Sequence, residues 1–250
     1  MSPSFAEIAP HYDALRPLSA GDRARLLQML AEVSLQRSDV IVEVGCGTGR
    51  MTLPLAAMTP ARVIGVDSET RMLEVARSKD AGGRVEWLQG SAYRLPLESG
   101  SVALAVMVMV VHLLRQRVRA FKEVERVLRP GGRLSLWTFT PRHVEEFYLN
   151  EYFPSIPVID RPRFPAAEVL TAELSRAGLS DVTVEVREEP RRIGIAEAVD
   201  RVRGRYISTL GMLPPLEYRL GLQRLEETLA QDRSVMLTQR SELAIVTAKK

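Results

Sequence analysis

The sequence predicts an α/β protein with a doubly wound, mostly parallel seven-stranded sheet and a helical cap inserted late in the chain. Three observations predict it. Short β-branched runs alternate with helical patterns between residues 39 and 139, the first run ends in the glycine-rich VEVGCGTGR, and a second helical stretch separates the last two strands. Right-handed crossovers would place the glycine loop at the carboxyl edge of the sheet, where ligands bind in such folds.

The first 40 residues are predicted to be mainly helical, because Leu26, Leu27, Leu30 and Val33 follow a Ser19 N-cap candidate at helical spacing. Strands and helices then alternate. In chain order we predict a strand in DVIVEVG, a helix at 49–58, a strand in RVIGVD, a helix in SETRMLEVARSK, strands in RVEWLQG and VALAVMVMV, a helix at 117–128, an RPGG turn and a fifth strand in RLSLWTF.

The second half of the chain has a different pattern. Five prolines between residues 141 and 165 predict an irregular segment, and AAEVLTAELSRAG predicts a helix that ends at Gly178. Alternation in DVTVEVRE predicts a sixth strand, residues 193–232 are predicted to be helical with a break near GMLPP, and ELAIVTA is the final strand. Helices between the last two strands would cover the ligand edge of the sheet as a cap.

Composition narrows the class of protein. The chain has 250 residues, 46% of them hydrophobic, and 34 basic against 31 acidic residues, so charge is a weak argument for nucleic acid. A single cysteine, Cys46, allows neither an intramolecular disulfide nor a thiolate zinc site, and we predict no metal site. The N-terminus shows no signal-peptide pattern, and the longest apolar run, 102–114, is too short to span a bilayer. We expect a soluble, cytoplasmic protein that does not bind membranes.

The glycine loop predicts a ligand that approaches the backbone closely. Arg50 and Met51 stand where a nucleotide-triphosphate loop needs Lys and Ser or Thr. Gly45 and Gly47 fit a dinucleotide fingerprint, but Arg50 occupies its sixth position. Glu43 lies just before the loop, where a pyrophosphate would need positive potential. A cationic ligand without phosphate, such as S-adenosylmethionine, suits this carboxylate better.

Asp67 ends the second predicted strand, about 20 residues past the loop, where an acid accepts hydrogen bonds from ribose hydroxyls. NAD and S-adenosylmethionine share that ribose, so Asp67 agrees with either ligand. A helix N-cap is the other interpretation of this residue, and Ser68 is an equally good cap.

These residues resemble the class I S-adenosylmethionine-dependent methyltransferases, and among them the bacterial small-molecule group of ubiquinone/menaquinone-type, or methyltransferase type 11, enzymes. The resemblance covers residues 5 to about 140 and, more loosely, the last strands. The segments that carry it are FAEIAPHYDALRP, VEVGCGTGR, GVDSE, QGSAYRLPLESGSVALAVMVMVVHLL and VLRPGGRL.

The resemblance implies a Rossmann-like fold that binds S-adenosylmethionine and releases S-adenosylhomocysteine. The glycine loop would pass under the methionine part, Asp67 would hold the ribose, and an N-terminal lid would close over the cofactor. The implied cofactor-binding residues are Tyr12, Arg16, Glu43, Gly45, Cys46, Gly47, Asp67, Ser68, Met72, Ser91, Ala92, Met107 and His112. Two departures weaken the expected contacts, because Ser91 and Ala103 stand where the family usually has acids.

Methyl transfer from a sulfonium is an in-line displacement that mainly requires alignment of two reactants and exclusion of water. Candidate general bases are His112, His143 and His11, with packing or solvent exposure as the alternative for each. Arg201 and Arg205 would share a helix face if the helix ran through Gly204, and could then bind an anionic acceptor; a solvated basic face is the alternative. The predicted acceptor-binding residues are Tyr12, Trp137, Phe139, His143, Tyr148, Arg205 and Tyr206.

We therefore divide the chain into an N-terminal helical lid (1–36), a cofactor-binding core (37–140), an acceptor-side segment with a late helix and strand (141–190), a helical cap (191–240) and a final strand (241–250). The predicted function is S-adenosylmethionine-dependent methyl transfer to a small-molecule acceptor. The alternatives are a nucleic-acid methyltransferase, although MVMVVHLL replaces the Asn/Asp-Pro-Pro-aromatic motif of base amino-methylating enzymes, and a cofactor-binding protein without methyl transfer. A nicotinamide oxidoreductase is a third alternative; Arg50 and Glu43 argue against it because they do not fit a dinucleotide-binding loop.

Overall fold

The computed structural model describes residues 5–250 and contains one seven-stranded sheet in the order β3-β2-β1-β4-β5-β7-β6. The strands are β1 Val40–Val44, β2 Arg62–Asp67, β3 Val85–Gln89, β4 Val102–Val108, β5 Leu128–Phe139, β6 Ser180–Gly194 and β7 Met236–Lys249. The first five strands pair in parallel, whereas β7 is antiparallel to both β5 and β6. The predicted fold class is confirmed.

Helices cover both faces of the sheet and its carboxyl edge. They are α1 Tyr12–Leu15, α2 Ala20–Ala31, α3 Thr52–Met58, α4 Thr70–Lys79, α5 Arg117–Val127, α6 Pro141–Glu145, α7 Ser155–Asp160, α8 Ala167–Arg176, α9 Ile195–Arg203 and α10 Pro215–Gln231. Ser19 caps α2 as predicted, because its hydroxyl accepts from Asp22 N–H at 3.0 Å while Asp22 accepts from Ser19 N–H at 2.9 Å.

Alternate residues of the central strands pack into two different cores, which is the physical basis of the doubly wound sheet. Val42 of β1 and Phe121 of α5 belong to one cluster, and Ile41 of β1, Leu26 of α2 and Leu55 of α3 belong to the other. Burial on both faces explains why these strands appear in the sequence as continuous apolar runs.

The last two strands are longer than the sequence predicted. They pair from Ser180↔Lys249 to Gly194↔Met236, so β6 reaches into the predicted cap and β7 begins before residue 241. The helices α9 and α10 join the ends of this ribbon and form a third core cluster with the segment that follows β5. The five-part division of the chain stays a prediction, and residues 1–4 of its lid lie outside the described residues.

Two local predictions need correction. The RPGG segment lies within β5, where the pairing with β4 shifts register. Helix α9 ends at Arg203 and does not run through Gly204, which is its C-cap. Leu15 of α1 packs against Gly204, at 2.5 Å from the position that a Cβ would take, so a larger residue would clash there. Arg205 then takes a left-handed backbone conformation, with φ of 48°, so Arg201 and Arg205 do not share a helix face. Among residues 5–250, no helix is long and apolar enough to cross a membrane.

Candidate active site

A cavity of about 950 Å³ lies at the carboxyl edge of the sheet, beneath the lid helix α1 and the helical cap. We call the part bounded by Gly45, Gly47, Asp67 and Ser91 the loop half. The cap half is the part bounded by Phe139, His143, Tyr148, Phe164 and Tyr206. One continuous space therefore joins the glycine loop to an aromatic chamber.

The glycine loop is shaped by backbone contacts that only glycine permits. Gly45 has φ of 74°, its N–H donates to Val66 O at 2.7 Å, and a Cβ there would lie 2.5 Å from Val110 Cγ2. Gly47 also has positive φ, of 55°, but a Cβ on Gly47 would meet no atom within 4 Å. Gly45 is thus required by packing, whereas Gly47 leaves open space on the cavity for a ligand.

Asp67 lies on the cavity wall and braces the loop. Its Oδ2 accepts from Gly47 N–H at 2.8 Å and its Oδ1 accepts from Glu69 N–H at 2.8 Å. Burial raises the pKa of Asp67, and the backbone hydrogen bonds oppose that rise. Each carboxylate oxygen keeps a further lone pair, so Asp67 can still accept from a bound hydroxyl.

Glu43 lies behind the loop and does not line the cavity. Its Oε2 accepts from the Thr52 hydroxyl at 2.5 Å, which ties the end of β1 to the first residue of α3. Burial raises the pKa of Glu43 to about 7, against the effects of the Thr52 bond and the Arg50 charge. This geometry gives Glu43 a bracing role behind the loop, and its implied action on the cofactor stays a prediction.

The lid is fastened to the loop by Asp13, which the sequence analysis missed. Asp13 Oδ1 accepts from the Thr48 hydroxyl at 2.5 Å, and Asp13 also pairs with Lys79 of α4. The one feature of the sequence that indicates Asp13 is its position directly after Tyr12. Tyr12 and Arg16, two of the implied cofactor-binding residues, line the cavity, whereas His11 is exposed and does not.

Most of the remaining cofactor predictions lie on the cavity and two do not. Ser68, Met72, Ser91, Ala92 and His112 line it. Cys46 and Met107 are buried and do not: Met107 is still within β4 and is fully buried, and burial raises the pKa of the Cys46 thiol. The cavity wall is formed instead by Val108, the last residue of β4, and by Met109 and Val110, which follow it.

Stacked rings form the cap half. His143 stacks on Phe139 with ring centroids 3.6 Å apart, and His112 stacks on Phe164 at 4.7 Å. Neither Nδ1 atom has a hydrogen-bond partner among residues 5–250. Burial lowers the pKa of His143 to about 3, with help from the charges of Arg191 and Arg16, and lowers the pKa of His112 well below its usual value. Both imidazoles are therefore neutral and weak as bases near neutral pH.

Of the remaining residues predicted to bind the acceptor, three line the cavity and Arg205 does not. Trp137, Tyr148 and Tyr206 line the cavity, and the two tyrosine hydroxyls lie 2.8 Å apart. Arg205 does not line it, because its guanidinium packs over the Tyr218 ring at 4.6 Å. Arg201 lines the cavity instead, with its guanidinium 5.5 Å from the Tyr206 ring centroid.

A buried polar cluster that the sequence analysis missed ties the cap to the core. Arg163 pairs with Asp160 at 2.5 Å and donates to the Ser208 hydroxyl at 2.6 Å and to His112 O at 3.2 Å. Thr209 donates to Asp160 at 2.8 Å. No sequence motif identifies these residues, because they come from three segments that only the fold brings together.

Comparison with known proteins agrees with this geometry. The family described as Methyltransferase domain matches residues 42–136. A demethylmenaquinone methyltransferase from Thermus thermophilus is 32% identical over 216 residues, which cover 77% of this chain and 96% of that protein. A ubiquinone/menaquinone biosynthesis C-methyltransferase from Syntrophotalea carbinolica is 40% identical over 143 residues. The match covers 55% of this chain and 60% of that protein.

A structural neighbour shows the same fold. The crystal structure of a putative methyltransferase from Bacillus halodurans superposes with a TM-score of 0.65 at 18% identity, over 92% of this chain and 99% of that one. The chain belongs to the class I S-adenosylmethionine-dependent methyltransferases, in the group that contains the ubiquinone/menaquinone-type enzymes.

Proposed function

We propose that this protein transfers a methyl group from S-adenosylmethionine to a small, planar, largely apolar acceptor. The observation that carries this proposal is the continuous cavity, which joins the glycine loop and Asp67 to an aromatic chamber under the lid and cap. Two reactants could lie end to end within about 950 Å³, as direct displacement requires.

The loop half fits the cofactor. Gly47 leaves open space beside the loop, Asp67 keeps acceptor capacity for the ribose hydroxyls, and Met72 and Ala92 offer apolar walls for the adenine. Ser91 replaces an acid that the family usually has there, and its hydroxyl is a weaker acceptor than a carboxylate. When bound, S-adenosylmethionine supplies a methyl group already activated on a sulfonium.

The protein's own residues align the acceptor and exclude water. The Asp13–Thr48 hydrogen bond holds the lid against the loop, and the Arg163 cluster holds the cap against the turn that follows β4. Because His112 and His143 are weak bases, we infer that they shape the chamber and do not remove a proton.

The relatives support an aromatic acceptor. They are named as a methyltransferase of ubiquinone and menaquinone biosynthesis and a demethylmenaquinone methyltransferase, and quinones are planar, conjugated ring compounds. The stacked pairs His143–Phe139 and His112–Phe164 offer flat apolar surfaces that suit such a ring. We therefore propose an aromatic or conjugated ring as the acceptor.

Calorimetric titration with S-adenosylmethionine, S-adenosylhomocysteine and NAD tests the proposal. We expect micromolar binding of the first two, no binding of NAD, and affinity weakened by about tenfold or more in Asp67→Ala, because the ribose hydroxyls lose a charged acceptor. Asp200→Ala, at an exposed position of the cap helix α9, is the matched control. Folded wild-type protein that binds neither adenosyl ligand would refute the proposed function.

A further inference from the structure

Two buried tyrosines of the cap half have more hydroxyl protons than the surrounding protein uses. Tyr148, which follows α6, is 7% exposed, and Tyr206, which follows α9, is 6% exposed. Their hydroxyl oxygens lie 2.8 Å apart and both residues line the cavity. Two hydroxyls bring two protons, and the hydrogen bond between them uses only one.

The second proton has no acceptor among residues 5–250. Within that part of the chain, the one acceptor within hydrogen-bond distance of either hydroxyl is the oxygen of the other tyrosine. Arg201 acts as a hydrogen-bond donor to Tyr148 and pairs with Glu197 at 2.6 Å; its guanidinium carries only donors, so it cannot take the proton. A buried donor without a partner is costly, so a donor that borders a cavity is available to an acceptor atom of a bound ligand.

The surroundings favour a ligand atom with negative or partial negative charge. Burial raises the pKa of Tyr148 and raises that of Tyr206 well above its usual value, so both hydroxyls stay protonated and act as donors. The positive charges of Arg201 and Arg16 act on the Tyr206 hydroxyl. Phe147 packs edge-on against the Tyr148 ring at 4.9 Å, which places an aromatic surface beside the hydroxyl pair.

We propose that Tyr148 and Tyr206 form an acceptor-oxygen subsite that donates a hydrogen bond to a carbonyl, phenol or enolate oxygen carried by the aromatic acceptor. The inference rests on the proposed function, because it assumes that the cap half holds the acceptor. It makes the hydroxyl pair a determinant of specificity, since an analogue without the oxygen leaves the buried donor unpaired.

A matched pair of ligands tests the subsite. The affinities of 2-naphthol and naphthalene, which differ by one oxygen, are measured by calorimetry with the protein alone and with saturating S-adenosylhomocysteine. We expect the wild type to prefer 2-naphthol by about tenfold, and the Tyr148→Phe/Tyr206→Phe double variant to lose that preference. Tyr152→Phe is the control, because Tyr152 packs against the cap core and does not line the cavity.

The outcomes separate the two proposals. Equal affinity of the wild type for both ligands, binding of neither, or a preference retained in the double variant would overturn the subsite. A folded wild type that does not bind S-adenosylhomocysteine would overturn the proposed function. Because the ligand pair is also measured with the protein alone, the subsite is judged in that case as well.

Discussion

The loop half of the cavity is built from neighbouring residues around a glycine-rich loop, whereas the cap half is built from side chains that come from distant parts of the chain. The loop half depends on Gly45, Gly47 and Asp67, which lie within 23 residues of one another. The cap half combines residues as far apart as Phe139 and Tyr206. This difference suggests that a shared cofactor fixes the first half, while the second half is free to change with the acceptor.

The two halves also differ in their buried ionisable groups. Behind the loop half, burial raises the pKa of the Glu43 carboxyl to about 7. In the cap half, burial lowers the pKa of the His143 imidazole to about 3. The folded state therefore favours a bound proton at Glu43 and opposes one at His143, so the two sites should respond to pH in opposite directions.

The largest expected effect is that of Gly45→Ala. The added Cβ would lie 2.5 Å from Val110 Cγ2 at a backbone φ of 74°. Left-handed strain together with overpacking should lower the free energy of unfolding by about 3–5 kcal/mol and abolish cofactor binding. Urea unfolding and calorimetry measure the two effects.

Gly47→Ala is the matched variant, because its Cβ would enter open space. We expect a loss of about 1–2 kcal/mol from backbone strain alone, together with loss of cofactor binding. Equal losses of unfolding free energy in the two variants would show that the clash with Val110 adds nothing to the cost of Gly45→Ala.

The second prediction concerns Glu43→Gln. Between pH 4.5 and 7 the folded wild type holds a proton that the unfolded chain has released, so wild-type stability should fall as the pH rises through that window. The variant has no such proton, and its amide oxygen can still accept from Thr52. Relative to wild type, the variant should gain about 2.5 kcal/mol between pH 5 and pH 8 in urea unfolding.

Thr52→Val is the control for this experiment, because it removes the hydrogen bond while Glu43 still titrates. The wild-type fall in stability with rising pH should persist in that variant. A constant difference between Glu43→Gln and wild type at all pH values would contradict the prediction.

His143→Phe tests the opposite response in the cap half. Below pH 6.5 the unfolded wild type gains a proton that the folded state refuses, so wild-type stability should fall as the pH is lowered toward 3. The phenyl ring keeps the stack on Phe139 and cannot titrate. Relative to wild type, the variant should be about 2 kcal/mol more stable at pH 5 than at pH 7.5. Phe147→Leu, in the same cluster, keeps His143, so its difference in stability from wild type should not depend on pH.

The sequence predicted the loop half well because its requirements are local. Positive φ at three closely spaced positions strongly favours glycine, and the acid that ends the next strand lies beside the loop and accepts from Gly47 N–H. Both features are visible in the sequence as residue types at fixed spacing. The parallel core was predicted for a similar reason, since strands buried on both faces are continuous apolar runs.

The cap half was predicted only in part because its contacts are tertiary. Arg205 was chosen over Arg201 since the pattern did not show that Leu15 of the lid packs on Gly204 and that α9 ends there. The ends of β6 and β7 were missed because the extended ribbon lies at the sheet edge, where charged residues and Pro190 are tolerated and the apolar signal is lost.

The smallest expected effect lies where the lid joins the two halves. Asp13→Ala removes the acceptor of the Thr48 hydroxyl and the partner of Lys79, both of which hold α1 over the loop. We expect a loss of about 1 kcal/mol in unfolding free energy and a cofactor affinity weakened by about threefold to tenfold, through faster dissociation. Stopped-flow displacement of S-adenosylhomocysteine measures the rate.

A double-mutant cycle with Thr48→Val decides whether the hydrogen bond itself is responsible. Thr48 is 1% exposed and valine keeps its shape, so the double variant should lose less than the sum of the single losses, by about 0.5–1 kcal/mol. Thr48→Ser, which retains the hydroxyl, should preserve the coupling to Asp13. Strict additivity of Asp13→Ala and Thr48→Val would mean that the lid is held by Lys79 or by packing, and that closure over the cofactor does not depend on this contact between lid and loop.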